Sequence, residues 1–231
     1  MMMTATADHL VRRKLLFLPG AVGAASFWRP VGDRLPQEWE KIYMSWPGLG
    51  AEPPSAAVQT IDDCVRLVER HLNRPCDLVA QSMGGVVAIR AALRKPAYVR
   101  RVVLCATSGG VDVERLGGAD WRDGYLQEYP DSARWITGEH ADLSDEIKSV
   151  TMPALLIWGD SDPISPVAVG EHLLSLLPDA TLRVIEGGSH SFACDEPELT
   201  AQLITDHLEA GPRRVERRPT HEAESANASC D

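Results

Sequence analysis

The sequence predicts an α/β protein built on a doubly wound, mostly parallel sheet of about six strands. Three observations predict it. Six short apolar runs are each closed by glycine or a turn. They are near-continuously apolar rather than alternating, as expected of strands buried on both faces. Helix-period segments lie between them, and strands that alternate with helices form parallel sheets covered on both sides.

The runs, in order, are Lys14–Pro19, Lys41–Trp46, Cys76–Ala80, Arg100–Ala106, Ala154–Trp158 and Thr181–Ile185. Between the second and third, Val58, Ile61, Val65, Val68 and Leu72 recur at three- and four-residue steps, giving one apolar helix face. Gly84–Leu93 is small and apolar all round, which suits a helix pressed against a sheet. Val167–Leu177 and Pro197–Leu208 supply the remaining helices. No internal repeat is present.

Two regions depart from the alternation. Residues 111–150 form a long excursion between strands, carrying Trp121, Tyr125, Tyr129 and Trp135 among charges and glycines. A connection this long inside a compact domain is usually functional or has helices of its own. Residues 211–231 are rich in Arg, Glu, Pro, Ser and Ala and are expected to form a disordered tail. The expected organisation is an extension at 1–13, one domain at 14–210 with an insertion at about 111–150, and the tail.

The chain has 231 residues, 23 Lys+Arg and 33 Asp+Glu. That length suits one domain able to bury a core without a disulfide or structural metal. A net charge of -10 argues against nucleic acid or an anionic membrane as partner. The five cysteines, Cys64, Cys76, Cys105, Cys194 and Cys230, are odd in number, with no C-x-x-C pair. This is neither a zinc site nor a disulfide framework, and it points to reduced thiols in the cytoplasm. The apolar stretch after Arg12-Arg13-Lys14 stops at Pro19-Gly20, too short for a signal segment or a membrane span.

Leu78-Val79-Ala80-Gln81-Ser82-Met83-Gly84-Gly85 is the most informative stretch. Ser82 lies between an apolar strand and a small-residue helix. Small residues two before and two after it permit a tight turn that pushes its hydroxyl out at a helix N-terminus. A serine hydroxyl is a weak nucleophile and needs a base. His190, in Glu186-Gly187-Gly188-Ser189-His190, follows the last strand on a loop. Sites in open parallel sheets form at that end of the strands. His71, His172 and His207 fall in helix patterns, His9 and His221 lie in the termini, and His140 lies in the excursion. An acid that orients the imidazole completes the set. Gly159-Asp160-Ser161-Asp162-Pro163 offers Asp160 and Asp162 just past a strand.

In these residues the chain resembles the α/β-hydrolase superfamily over about residues 14–210. Leu16-Phe17-Leu18-Pro19-Gly20-Ala21 looks like the strand and oxyanion loop. Trp46-Pro47-Gly48-Leu49-Gly50 resembles the next strand's loop, and Ala80-Gln81-Ser82-Met83-Gly84 the nucleophile elbow. Gly159–Pro166 matches the acid loop and Gly188-Ser189-His190 the histidine loop. There are departures: Ala80 replaces the first elbow glycine, Pro19 replaces a histidine, and the family's first two strands find no counterpart in the roughly ten residues before Leu15.

The resemblance implies Ser82 as nucleophile, His190 as base and Asp162, the second aspartate, as orienting acid. It implies backbone N–H groups of Ala21 and Met83 as oxyanion donors. The expected activity is hydrolysis of a small ester, thioester or lactone, with no metal or organic cofactor and with the excursion as a helical lid. Trp28, Trp121, Tyr125 and Trp135 are candidates to line the substrate pocket. Two alternatives stay open: a lyase, cyclase or carbon–carbon hydrolase on the same scaffold, and a ligand-binding receptor that keeps the three residues. Oligomeric state has no signature in the sequence.

Overall fold

The computed structural model describes residues 12–138 and 141–211. The expectations for an extension before residue 12, for His140 and for the tail after 211 lie outside the described residues. The strands are β1 Lys14–Leu18, β2 Glu40–Tyr43, β3 Cys76–Gln81, β4 Val99–Cys105, β5 Ala154–Gly159 and β6 Ala180–Ile185. They form one sheet in the order β2-β1-β3-β4-β5-β6, parallel throughout. The helices are α1 Arg29–Gly32, α2 Ile61–Glu69, α3 Met83–Arg94, α4 Arg122–Glu128, α5 Ser144–Ile147, α6 Val167–Leu176, α7 Phe192–Asp195 and α8 Pro197–Glu209.

Successive strand side chains point to opposite faces, so each central strand feeds two cores. Leu16, Leu18, Leu78, Ala80, Val102, Leu104, Leu156 and Trp158 pack under α2, α3 and α6. Leu15, Phe17, Val79, Val103, Leu155 and Ile157 pack under α8 on the other face. Each fully buried Leu, Ile or Val contributes roughly 1.5–3 kcal/mol. The edge strands correct one expectation. β6 exposes Arg183 and Val184, and β2 is only partly covered, because an edge strand lacks a neighbour on one side. Among the described residues no helix is long and apolar enough to cross a membrane.

The strand order positions the site. The chain runs from β1 outward to β2, then back across to β3, so the order switches between β1 and β3. Ligand crevices form beyond the carboxyl ends of strands at such a switch. The Pro19–Gly23 turn leaves β1 there, and Ser82 leaves β3 beside it. Thr60 caps α2, accepting from the Asp63 amide at 3.2 Å. Asp62 ties α2 to α3 through Arg90 and Arg94 at 2.7 and 2.9 Å.

The excursion has helices of its own. Besides α4 and α5 it contains 3-10 turns at Glu114–Leu116 and Arg134–Thr137. It covers the carboxyl ends of the central strands, with Ile136, Leu143 and Ile147 reaching the core.

Candidate active site

Ser82 sits at the turn from β3 into α3 with φ 51° and ψ -126°. A non-glycine residue there is strained, and such strain clusters at functional sites. Ala106, at the end of neighbouring β4, also has positive φ, 44°. The turn is clamped on several sides. Ser82 N–H donates to the Cys105 carbonyl at 3.0 Å, and the Ser82 carbonyl accepts from Gly85 N–H at 2.9 Å. Thr107 Oγ1 also donates to that carbonyl. Gly84 is required by close approach: a Cβ there would stand 2.5 Å from the Leu18 and Pro19 carbonyl oxygens. That contact holds the start of α3 against the turn after β1. Gly20, in that turn, would place a Cβ 3.0 Å from Ser82 Cβ.

His190 lies on the loop between β6 and α7. Its Nε2 is 3.1 Å from Ser82 Oγ and its Nδ1 is 2.7 Å from Asp162 Oδ2. A carboxylate only accepts, so Nδ1 carries the proton and leaves the Nε2 lone pair facing the serine hydroxyl. The Asp162 carboxylate is fully buried. Its other oxygen accepts from Ile164 N–H at 2.8 Å and Ser165 N–H at 3.0 Å, so the buried charge is hydrogen-bonded on both oxygens. Gln81 Nε2 donates to the His190 carbonyl at 3.2 Å.

The two aspartates separate cleanly. Asp160 is exposed and accepts from Gly187 N–H at 2.7 Å, bracing the acid loop against the histidine loop. The loops meet where a Cβ on Gly159 would overlap the Gly188 carbonyl, and Ser161 N–H donates to that carbonyl at 3.0 Å.

A cavity of about 530 Å³ opens over Ser82 and His190. Met83, Val86, Val111, Trp121, Ile136 and Ile164 make its apolar wall, while Asp112, Glu114, Arg115, Arg122 and Asp142 stand among its lining residues. Ala21 also lines it, and neither the Ala21 nor the Met83 amide donates to another described residue. A second hollow of about 420 Å³ beside β6 and α8 shares no residue with this one and is lined by no serine, cysteine or histidine.

The pocket expectations divide. Trp121 lines the cavity. Trp28 does not: it is fully buried under the opposite face of the sheet, donating from Nε1 to the Leu18 carbonyl at 3.0 Å. Its indole fills core volume and finds its polar partner in β1. Tyr125 is buried, and its hydroxyl bonds to protein rather than facing the cavity. Trp135 packs half-buried against the core and is not among the cavity residues. Sequence reasoning missed Thr107, Gln81 and Ser165. Gln81 and Ser165 stand inside the elbow and acid-loop stretches, whereas nothing marked Thr107, and all three side chains bond to backbone groups far along the chain.

A serine, an aspartate and a histidine, in that chain order and brought together at the carboxyl edge of a parallel sheet, match the arrangement expected of a hydrolase on an α/β scaffold. The chain belongs to the alpha/beta hydrolase family, whose sequence model matches residues 15–203. It is 26% identical to an uncharacterised hydrolase, YugF, of Bacillus subtilis, over 85% of this chain and 90% of that one. It is 27% identical to a pimeloyl-[acyl-carrier protein] methyl ester esterase of Neisseria meningitidis, over 76% and 86%. Among solved structures, carboxylesterase CesB of Bacillus subtilis superposes with a TM-score of 0.69 at 18% identity, covering 88% of this chain and 86% of that one. A thermophilic esterase of Thermogutta terrifontis does so at 0.70 and 20% identity, over 85% and 89%. These structures share the fold.

Proposed function

We propose that this protein is a serine hydrolase that cleaves a small ester, thioester or lactone through an acyl-enzyme on Ser82. The observation that carries the reading is the chain of hydrogen bonds Ser82–His190–Asp162 beneath a cavity with an apolar wall. Ser82 Oγ attacks the substrate carbonyl as His190 Nε2 takes its proton. Asp162 holds the imidazole's tautomer and offsets its positive charge. The tetrahedral oxyanion accepts from the Ala21 and Met83 amides. Removing one donor of this kind typically costs about 10²–10³ in turnover. His190 then returns the proton to the departing alcohol or thiol. Water, deprotonated by the same imidazole, releases the acid.

The likeness to a methyl ester esterase and to carboxylesterases favours an ester as the bond cleaved. Residues 14–210 act as one hydrolase unit in which 111–150 serve as a short lid, setting substrate shape and excluding water. The substrate is a small molecule, no cofactor takes part, and the four free cysteines among the described residues suit the cytoplasm.

The test is a fluorophosphonate probe read by intact mass, with Ser82→Ala and His190→Ala beside the wild type. A single adduct, lost in Ser82→Ala and much slowed in His190→Ala, is the expected result. A folded wild-type protein that takes no adduct from this or a smaller probe overturns the acyl-enzyme and favours a lyase, cyclase or binding role.

A further inference from the structure

We propose that Tyr125, on the lid, is a positioning residue for the oxyanion hole: its hydroxyl fixes the turn that presents the Ala21 amide. The proposal rests on the serine-hydrolase reading above and assigns a duty to a residue that touches no substrate.

The Tyr125 hydroxyl has three partners from three segments. It is 2.7 Å from the Ala21 carbonyl, in the turn after β1. It accepts from Gly50 N–H at 2.9 Å, in the loop after β2. It lies 2.7 Å from Ser132 Oγ, within the lid. A carbonyl only accepts, so the phenolic proton goes to Ala21, and the single Ser132 hydroxyl proton is shared between Tyr125 and the Gly48 carbonyl at 3.3 Å. Among the described residues this is the only hydrogen bond from 111–150 to the Pro19–Gly23 turn. Tyr125 is 8% exposed, which limits solvent access to its hydroxyl. Bulk solvent is therefore poorly placed to replace the lost donor.

The bond to this carbonyl restrains the turn from which the Ala21 amide projects. The Ala21 N–H and C=O belong to consecutive peptide planes that share one Cα. The turn is closed at its ends by Gly23 N–H on the Gly20 carbonyl at 3.0 Å. With the ends tied, the Ala21–Val22 peptide can still rotate through ψ of Ala21 and φ of Val22, and the Tyr125 bond restrains that rotation and steadies the Cα that carries the amide. The direction of that amide decides how well it meets an oxyanion, because such donors act by preorganisation. Trp121 adds a path from the cavity: it lines the cavity and packs edge-on against Tyr125, ring centroids 5.4 Å apart. A lid seated over substrate and a correctly aimed amide are thus one arrangement.

The test compares wild type, Tyr125→Phe, Ser132→Ala and Ser82→Ala with p-nitrophenyl butyrate as substrate and phenylboronic acid as a tetrahedral mimic. Rates are expressed per serine titrated by fluorophosphonate, so misfolded molecules do not count. In Tyr125→Phe, kcat is expected to fall about tenfold or more, with KM changed less than about twofold. The boronate Ki should rise by a similar factor, because a group that serves only the tetrahedral state is missed only there. Ser132→Ala keeps the bond to Ala21 and should stay within about twofold of wild type in both. An unchanged Ki in Tyr125→Phe overturns the proposal, as does an equal loss in Ser132→Ala, which would mark lid packing as the cause. If wild type turns over no faster than Ser82→Ala, the hydrolase reading itself has failed.

Discussion

The side-chain hydroxyl of Thr107 donates to the main-chain carbonyl of Ser82, joining the end of β4 to the strained turn after β3. Thr107 is fully buried, and its own carbonyl accepts from Ser165 Oγ at 3.4 Å. Ser165 in turn donates its amide to Asp162 and its Oγ accepts from Trp158 Nε1 at 3.2 Å. One buried threonine therefore links the serine's turn to the loop of the aspartate 80 positions further on.

Replacing that hydroxyl has a defined cost. Thr107→Val keeps the shape and removes the donor, and a lost buried hydrogen bond costs roughly 1–3 kcal/mol. Holding a non-glycine residue at positive φ costs about 1–3 kcal/mol as well, so a weakened clamp lets the elbow relax. The expected result is a lower midpoint of thermal unfolding and a kcat reduced about tenfold, since small misplacements at a reacting centre cost up to about 10². Thr107→Ser keeps the donor and should recover most of both. A valine variant with wild-type kcat would show that the clamp is dispensable.

The two aspartates of the acid loop should differ sharply. Asp162→Asn cannot hold the imidazole's tautomer and cannot offset its positive charge. Loss of this function in a Ser-His-Asp set costs about 10⁴ in kcat. Asp160→Asn alters an exposed brace on Gly187. It should leave turnover intact and shift stability by no more than about 0.5 kcal/mol, as for ordinary surface changes. Burst and steady-state rates on one activated ester decide between them.

The fold was legible because each central strand is a compact apolar run with glycine, proline or charge at its ends. Lys14–Leu18, Cys76–Gln81 and Ala154–Gly159 fall on the runs read from sequence within about two residues. Edge position was not legible. Thr181–Ile185 reads as apolar, yet Arg183 and Val184 face solvent, because strand order is set by non-local pairing. The candidate site residues carried local signatures: a serine between small residues, a histidine after the last strand, an aspartate in a Gly-Asp-Ser-Asp-Pro turn. Trp28 misled because an aromatic near a strand end reads alike whether it lines a cavity or fills a core. Thr107 and Tyr125 left no pattern. Their partners are backbone carbonyls 25 and 104 positions away, and any residue supplies a carbonyl.

The cysteines should respond to burial. Burial pushes the Cys64 and Cys76 thiols up to about 12 and raises Cys105 as well. The thiolate is the reactive form, and at pH 8 these positions hold almost none of it. Ellman's reagent on native protein is expected to leave these three unreacted, against five thiols in denaturant. Rapid reaction of all five in the native state would mean that the core opens.

Charge around the cavity should select among esters. Residues 111–150 contain ten Asp and Glu against four Arg and Lys, so they hold -6 of the chain's net -10. Of the lining cations, Arg115 pairs with Asp112 at 3.0 Å, and Arg122 pairs with Glu114 and Asp120 at 2.8 and 3.0 Å. An incoming carboxylate therefore meets guanidinium groups already engaged, inside a negative field that acts on charged substrates before they bind. At low ionic strength, a monoester with a free carboxylate should show a kcat/KM about tenfold below its uncharged isostere, and a cationic ester should exceed it. The gap should narrow as salt rises, because the screening length falls to about 8 Å at physiological ionic strength. Initial rates across a sodium chloride series measure this directly. A preference for the anionic ester at every salt concentration would mean that Arg115 or Arg122 leaves its acidic partner to bind substrate, and substituting each arginine in turn would identify which.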